Sequence, residues 1–365
     1  MSLWTFPRLT AAGLGASVAA GVAHQVYSTW RSTGGHAGYE RRRVRCRSGN
    51  LVDYHVRRGL PGGPTLVCES GLMSTSAAWL LLADHLDPSV SVVLYDRAGY
   101  RGSLRRCNED YSLRESVDDL VDVVVDSAGS LGGAAGEPGP CVLTGHSLGG
   151  YLVHRAAAVL PGRVHGLVLI DPTHPRELLH SRKQREGSRA TNLSIRLGPE
   201  TVLLGGGLLI DKKNLFAFAE ESPYHRTLRL EGSSITTWRS SRREWRYAYA
   251  FMLDGGRPLD RLDVPVSVVA AQATMDNTPE HGDLYEEYVD SGAGGEVSVV
   301  PGSSHLAITG STALAPQTAK LVQAFVDEVV RGRSGAQDTG GAQDTDDAQD
   351  TGDAQDTDER TEAAA

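Results

Sequence analysis

At 365 residues with 40% hydrophobic content, the chain suits a globular core, in one large α/β domain or two small ones. Its net charge of −9 is local: residues 336–365 hold ten acids and one arginine, and the rest is neutral. No basic stripe points to nucleic acid, and four cysteines without a C-x-x-C spacing give no zinc or redox motif, which leaves small packed thiols and no cofactor or metal.

From the N-terminus, Leu9 to Val26 carries no formal charge and is flanked by Arg8 and Arg31. It is about long enough to span a bilayer, but weakly apolar, with His24 and Gln25 inside it. Three readings stay open: a signal anchor, a cleaved signal with a poor Gly21-Val22-Ala23 site, or a helix on a soluble protein. Localisation is therefore open, with residues 9–26 as the candidate membrane contact. Residues 1–40 are expected to form this segment and a linker. Residues 41–58 alternate around Ser48-Gly49-Asn50 as a hairpin. Short apolar runs at 65–68, 90–95, 141–144, 167–170, 264–270 and 297–300 then alternate with helical patterns at 77–86, 113–131, 148–160 and 313–330. Such alternation predicts an α/β fold with a mostly parallel, doubly wound sheet covered on both faces. The core is expected over 41–171 and 263–332. Between them, 172–262 has helical patches and many arginines but no strand alternation, and reads as a helical lid. The tail repeats Ala-Gln-Asp-Thr four times with a six-residue period. It lacks large apolar residues, so 333–365 is expected to be disordered.

Gly145-His146-Ser147-Leu148-Gly149-Gly150 lies between the apolar run Cys141-Val142-Leu143-Thr144 and a helix-forming stretch. A G-x-S-x-G between strand and helix is a nucleophile elbow, which lifts a serine hydroxyl off the end of a sheet. That hydroxyl needs a base. His305, in Pro301-Gly302-Ser303-Ser304-His305, follows the last strand and is the best placed of twelve histidines. His146 reads as structural, His154 and His165 as ordinary imidazoles, and His174 and His281 as candidates to line the pocket. The base needs a carboxylate. Asp276 follows strand 264–270 and gives the order Ser, Asp, His; Asp171, directly after strand 167–170, is the alternative acid. The oxyanion donors are expected at the backbone N–H of Leu148 and of Leu72, with Met73 as the alternative, in the loop Glu69-Ser70-Gly71-Leu72-Met73. Asp96-Arg97-Ala98-Gly99-Tyr100-Arg101-Gly102-Ser103 reads as a scaffold loop beneath the site.

The elbow, the D-R-A-G-Y-R-G-S loop, the late aspartate and the late P-G-S-S-H together resemble the α/β-hydrolase superfamily, in its lid-bearing esterase and peptidase-like branch. The resemblance runs from about 41 to 332. It implies Ser147 as nucleophile, His305 as base, Asp276 as acid, and Leu72 and Leu148 as oxyanion donors. Two departures stand out: Ser70-Gly71 where many relatives have His-Gly, and Arg101 where glycine is usual. The epoxide hydrolases and haloalkane dehalogenases of this superfamily attack with aspartate, which Ser147 argues against.

The leading expectation is hydrolysis of a carboxylic ester or related small-molecule acyl compound through an acyl-enzyme. The same triad also serves amide, thioester or carbon–carbon hydrolysis and acyl transfer. A non-catalytic binding protein on this scaffold is the remaining class. In the lid, Trp238, Trp245, Tyr247 and Tyr249 read as lid core or an aromatic pocket. Arg239, Arg242, Arg243 and Arg246 read as a solvated face or a lure for an acidic substrate. Oligomeric state is not legible.

Overall fold

The structure, a computed structural model, describes residues 5–132, 138–209 and 216–340, with the side chains of those residues from 15 to 333 except Ser32, Leu208 and Leu209. Eight strands form one sheet: β1 Glu40–Arg45, β2 Leu51–Arg57, β3 Thr65–Glu69, β4 Ser91–Tyr95, β5 Cys141–His146, β6 Gly166–Ile170, β7 Val266–Ala271 and β8 Val297–Val300. Their order is β1-β2-β4-β3-β5-β6-β7-β8. β1 and β2 form the expected hairpin, and β2 runs antiparallel to β4; the other pairs are parallel. Every residue of β3 to β7 is buried. These strands read as continuous apolar runs because helices cover both faces. The sequence Glu-Arg-Arg-Arg-Val-Arg of β1 puts charge on the open edge, which discourages pairing with another chain.

One core cluster packs the helices Leu113–Leu131 and Leu148–Ala158 on one face of the sheet. The other packs residues 77–86 and the closing helix Ala315–Gly340 on the opposite face. Residues 77–86 form a tight 3-10 turn, Ser76–Trp79, and a short helix, Leu80–Ala83, in place of one continuous helix. The closing helix takes in the first Ala-Gln-Asp-Thr repeat, Ala and Gln being compatible with helix. The other repeats lie outside the described residues. Cys46, Cys68 and Cys141 are buried and all four cysteines are free.

The chain passes from β3 to β4 on one side and then to β5 on the other. The switch point lies between β3 and β5, where loops at the carboxyl ends part to leave a crevice. Between β6 and β7 the described residues are helical: Glu177–His180, Arg182–Leu203, His225–Gly232 and Ile235–Leu253 are the α-helices. Residues before β1 are more than a linker. The helix Thr5–Ser32 packs on these inserted helices, and Gln25 and Ser28 are buried there.

Two buried arginines tie the insertion to the sheet. Arg97 pairs with Glu69 of β3 at 2.5 Å and, through two nitrogens, with Glu244 of the insertion at 2.8 and 3.0 Å. Arg101 pairs with Glu231 at 2.5 Å and Asp96 at 3.3 Å, and donates to the carbonyl of Gly34 at 2.7 Å. Arg101 at the usual glycine position thus reaches well beyond its own loop. Removing one partner of a buried pair strands the other charge, at a cost of about 3–5 kcal/mol. Arg101→Ala is therefore expected to lower unfolding stability by about that amount. Arg101→Met combined with Glu231→Leu should recover part of the loss, because Glu231 is no longer stranded while Asp96 still is. Denaturant titration of the three proteins checks both.

Candidate active site

The elbow is built by close backbone approach. A Cβ on Gly145 would strike the backbone of Gly149 and Gly150, and one on Gly149 the carbonyls of Glu69 and Ser70. Ser147 sits between them at φ 55°, ψ −124°, a region that side chains rarely adopt. Its carbonyl accepts from the N–H of Gly150 and of Thr173, both at 2.9 Å, which locks the turn. Leu148 opens the following helix, so its N–H has no partner one turn back.

The loop after β3 passes directly over the serine. A Cβ on Gly71 would lie 3.1 Å from Ser147 Cβ and 3.2 Å from His146 Nδ1. Leu72 and Met73 follow, Met73 at φ 63°, and neither N–H is taken up by a hydrogen bond among the described residues. Arg97 holds this loop from below, donating to the carbonyls of Ser70 at 2.5 Å and Gly71 at 2.8 Å. Ser70, at the usual histidine position, faces inward instead: its hydroxyl donates to the Thr75 carbonyl at 3.0 Å and accepts from Trp79 Nε1 at 3.2 Å. Gly71→Ala forces a shift of a few tenths of an ångström between loop and serine. It is expected to lower kcat/KM for a small ester about tenfold or more, with little change in unfolding stability, as steady-state kinetics and denaturation would show.

His305 meets Asp171, not Asp276. Its Nδ1 lies 2.6 Å from Asp171 Oδ2. Asp171 is buried and also accepts from Ala271 N–H (3.0 Å), Tyr285 Oη (2.9 Å) and Thr274 Oγ1 (2.7 Å). Burial alone would raise its pKa, but the hydrogen bond and charge of His305, with these donors, bring it down to about 2. The His305 side chain is 44% exposed, so its partial desolvation disfavours the charged ring only in part, and the hydrogen bond and charge of Asp171 outweigh it and raise the pKa. Asp276 stands in the short helix Gln272–Asn277, exposed, accepting from Gln272 at 2.7 Å. The strand preceding it ends at Ala271, so Asp276 has turned away from the sheet edge. Chain order does not separate the two, because both aspartates precede His305. The usable signal was adjacency: Asp171 is the first residue past β6, as Ser147 is past β5.

Met73, Ser147 and Asp171 are three of the four non-glycine residues with positive φ among the described residues, and they follow the carboxyl ends of β3, β5 and β6. Strained backbone concentrates where a site is held against its local preference. Among the described residues no hydrogen bond joins Ser147 Oγ to the His305 ring, and such contacts often tighten only with substrate. Burial of His146, with His305 beside it, lowers its pKa to about 3. Its neutral ring therefore donates from Nε2 to the His305 carbonyl at 2.7 Å and braces that loop. His174 and His281 do not line the pocket; both are buried, packed against Tyr288 and Tyr285. His154 is likewise buried, with Nε2 3.0 Å from Ser291 Oγ, and His165 accepts from Cys141 N–H at 3.0 Å.

Beside His146 opens a pocket lined by Leu72, Met73, Phe216, Phe218, Leu228 and Leu306, with Glu231 at one wall. Phe216 lies against Gly232 and Phe218 against Gly310, where any Cβ would collide with the rings. These pocket residues from the insertion were missed in the sequence, because apolar residues in a helical segment look the same whether they face a core or a cavity. The insertion's arginines line a separate cleft of about 710 Å³ with Tyr111, Trp245, Tyr247 and Tyr249. Trp238 is packing, its ring against Gly198.

A model of the alpha/beta hydrolase family matches residues 60–316. The chain belongs to that family. Among curated proteins it is 32% identical over 123 residues to the lipase LipV of Mycobacterium tuberculosis, covering 33% of this chain and 42% of that one. It is 30% identical over 111 residues to a Stutzerimonas stutzeri protein provisionally called carbamate hydrolase RutD, covering 30% and 38%. The chain thus spans about two fifths of the curated relatives it matches. Among solved structures, a Pseudomonas aeruginosa protein provisionally called an epoxide hydrolase superposes with TM-score 0.63 at 18% identity, over 81% of this chain and 99% of that one. These relatives make hydrolase activity the coarse expectation and leave the bond open.

Proposed function

We propose that this protein is a serine hydrolase of carboxylic esters or related acyl compounds. Ser147 is the nucleophile, His305 the base, and Asp171 the acid. Leu148 N–H and Leu72 N–H are the oxyanion donors. The observation that carries this is the 2.6 Å contact of His305 with Asp171 at the strand edge where the Gly71 loop crosses Ser147.

In this mechanism Ser147 Oγ attacks the acyl carbonyl while its proton passes to His305 Nε2. Asp171 holds the Nδ1 proton and favours the imidazolium that forms. The two N–H groups take the negative charge of the tetrahedral oxygen. His305 then returns the proton to the leaving alkoxide, leaving acyl-Ser147. Water repeats the cycle, giving up a proton to His305 and releasing the acid. The apolar lining at Leu72, Phe216, Phe218 and Leu228 supports an uncharged acyl chain as the substrate's buried part.

A fluorophosphonate probe tests the nucleophile: peptide mass mapping should place one adduct on Ser147. Absence of an adduct on folded protein overturns the proposal. The pH profile tests the base. His305 must be neutral to accept the proton, and its raised pKa keeps it charged to higher pH. The acid limb of kcat/KM should therefore lie above the ordinary imidazole value of about 6.5. Activity is lost as pH falls through it.

A further inference from the structure

The helix Thr5–Ser32 is turned inside out relative to an ordinary surface helix. Its polar side faces the protein. Ser17 Oγ donates to the Leu204 carbonyl at 2.9 Å, and His24 Nε2 lies 2.8 Å from Ser233 Oγ. Gln25 donates to the Ser233 carbonyl at 3.0 Å and accepts from Ile235 N–H at 2.6 Å. Gly21 lets the helix rest on the backbone of Leu203 and Gly205. The outward side, four residues apart, is Val18, Val22, Val26 and Trp30, with Val26 66% and Trp30 69% exposed. No charged residue occurs between Leu9 and Trp30.

The apolar surface reaches the insertion at Leu204, which is exposed and is the residue that Ser17 touches. At the C-terminal end of the stripe the chemistry changes. Arg31 sits over the Trp30 ring, and Arg226 donates to Tyr27 Oη at 3.0 Å. Arginines beside exposed Trp and Tyr are the residues that sit at lipid headgroups.

We propose that this face docks on a lipid surface, with the helix lying in the plane of the interface. Val18, Val22 and Val26 enter the acyl boundary, with Leu204 at their edge, while Trp30, Tyr27, Arg31 and Arg226 sit at headgroup level. Crossing is disfavoured because one side of the helix is hydrogen-bonded to the protein. Among the described residues no helix is long and apolar enough to cross a membrane. A second copy of the chain is the rival occupant, but the aromatic and arginine rim matches headgroups better than a dry apolar seam. The proposal is independent of the triad.

Flotation of the full-length protein with phosphatidylcholine vesicles, with and without phosphatidylglycerol, tests it. The parent should float with both. Val22→Asp and Val26→Asp should each weaken partitioning about tenfold or more. Trp30→Ser should weaken it too, and Ser147→Ala should not change it. Val26→Gln, at a site already open to water, guards against misfolding and is checked by its melting temperature. Three outcomes overturn the proposal: no flotation of folded parent protein, flotation untouched by the valine substitutions, or a sedimenting dimer abolished by them without vesicle binding.

Discussion

Asp171→Asn is expected to lower kcat/KM for a p-nitrophenyl ester on the order of 10³–10⁴-fold, while Asp276→Asn stays within about threefold of the parent. An asparagine at 171 keeps the shape of the site but removes the charge that favours the imidazolium and fixes the ring by its Nδ1 proton. It also presents an amide N–H where His305 needs an acceptor. The effect has a second signature. Asp171 is what raises the His305 pKa against burial, so the acid limb of the pH profile should move down in Asp171→Asn. Asp276 is exposed and bonds only to Gln272 among the described residues, so its loss should leave the limb in place. Equal losses in the two variants, or the larger loss at Asp276, would contradict the assignment.

Ser147→Ala is expected to remove turnover almost entirely, on the order of 10⁶-fold in kcat, with a remnant from the oxyanion donors. Its folding should match the parent, because alanine meets the same strain at φ 55°. Ser147→Gly separates the two roles of that position. It loses the hydroxyl and the strain together, so it should be as inactive as the alanine variant yet more stable, by about 1–3 kcal/mol. Paired measurements of turnover and denaturation distinguish a nucleophile held under strain from a serine that merely turns the chain. Substantial turnover in either purified variant would sink the mechanism.

Much of the architecture was legible because the physics is local. Buried parallel strands such as Cys141–His146 and Gly166–Ile170 read as unbroken apolar runs, and Leu113–Leu131 carries its own helical period. The elbow was legible because three glycines and a serine are required by one turn. The partner of His305 was not. Two aspartates satisfy the same order along the chain; adjacency to the strand end favours Asp171, but its contacts with His305, Tyr285 and Thr274 come from more than 100 residues away. Arg101 was hidden for a different reason: its partners Glu231 and Gly34 lie 130 residues ahead and 67 behind. The N-terminal helix was ambiguous because composition alone does not say which side of a helix faces in.

The paired arginines also dictate how a substrate gets in. Arg97 grips the helix Ile235–Leu253 through Glu244, and Arg101 grips His225–Gly232 through Glu231. Movement of these helices away from the sheet as one body would have to part both pairs at once. Rotating the rings of Phe216 and Phe218 off Gly232 and Gly310 breaks no ion pair. Those two rings can therefore shift at the pocket wall while both ion pairs stay closed.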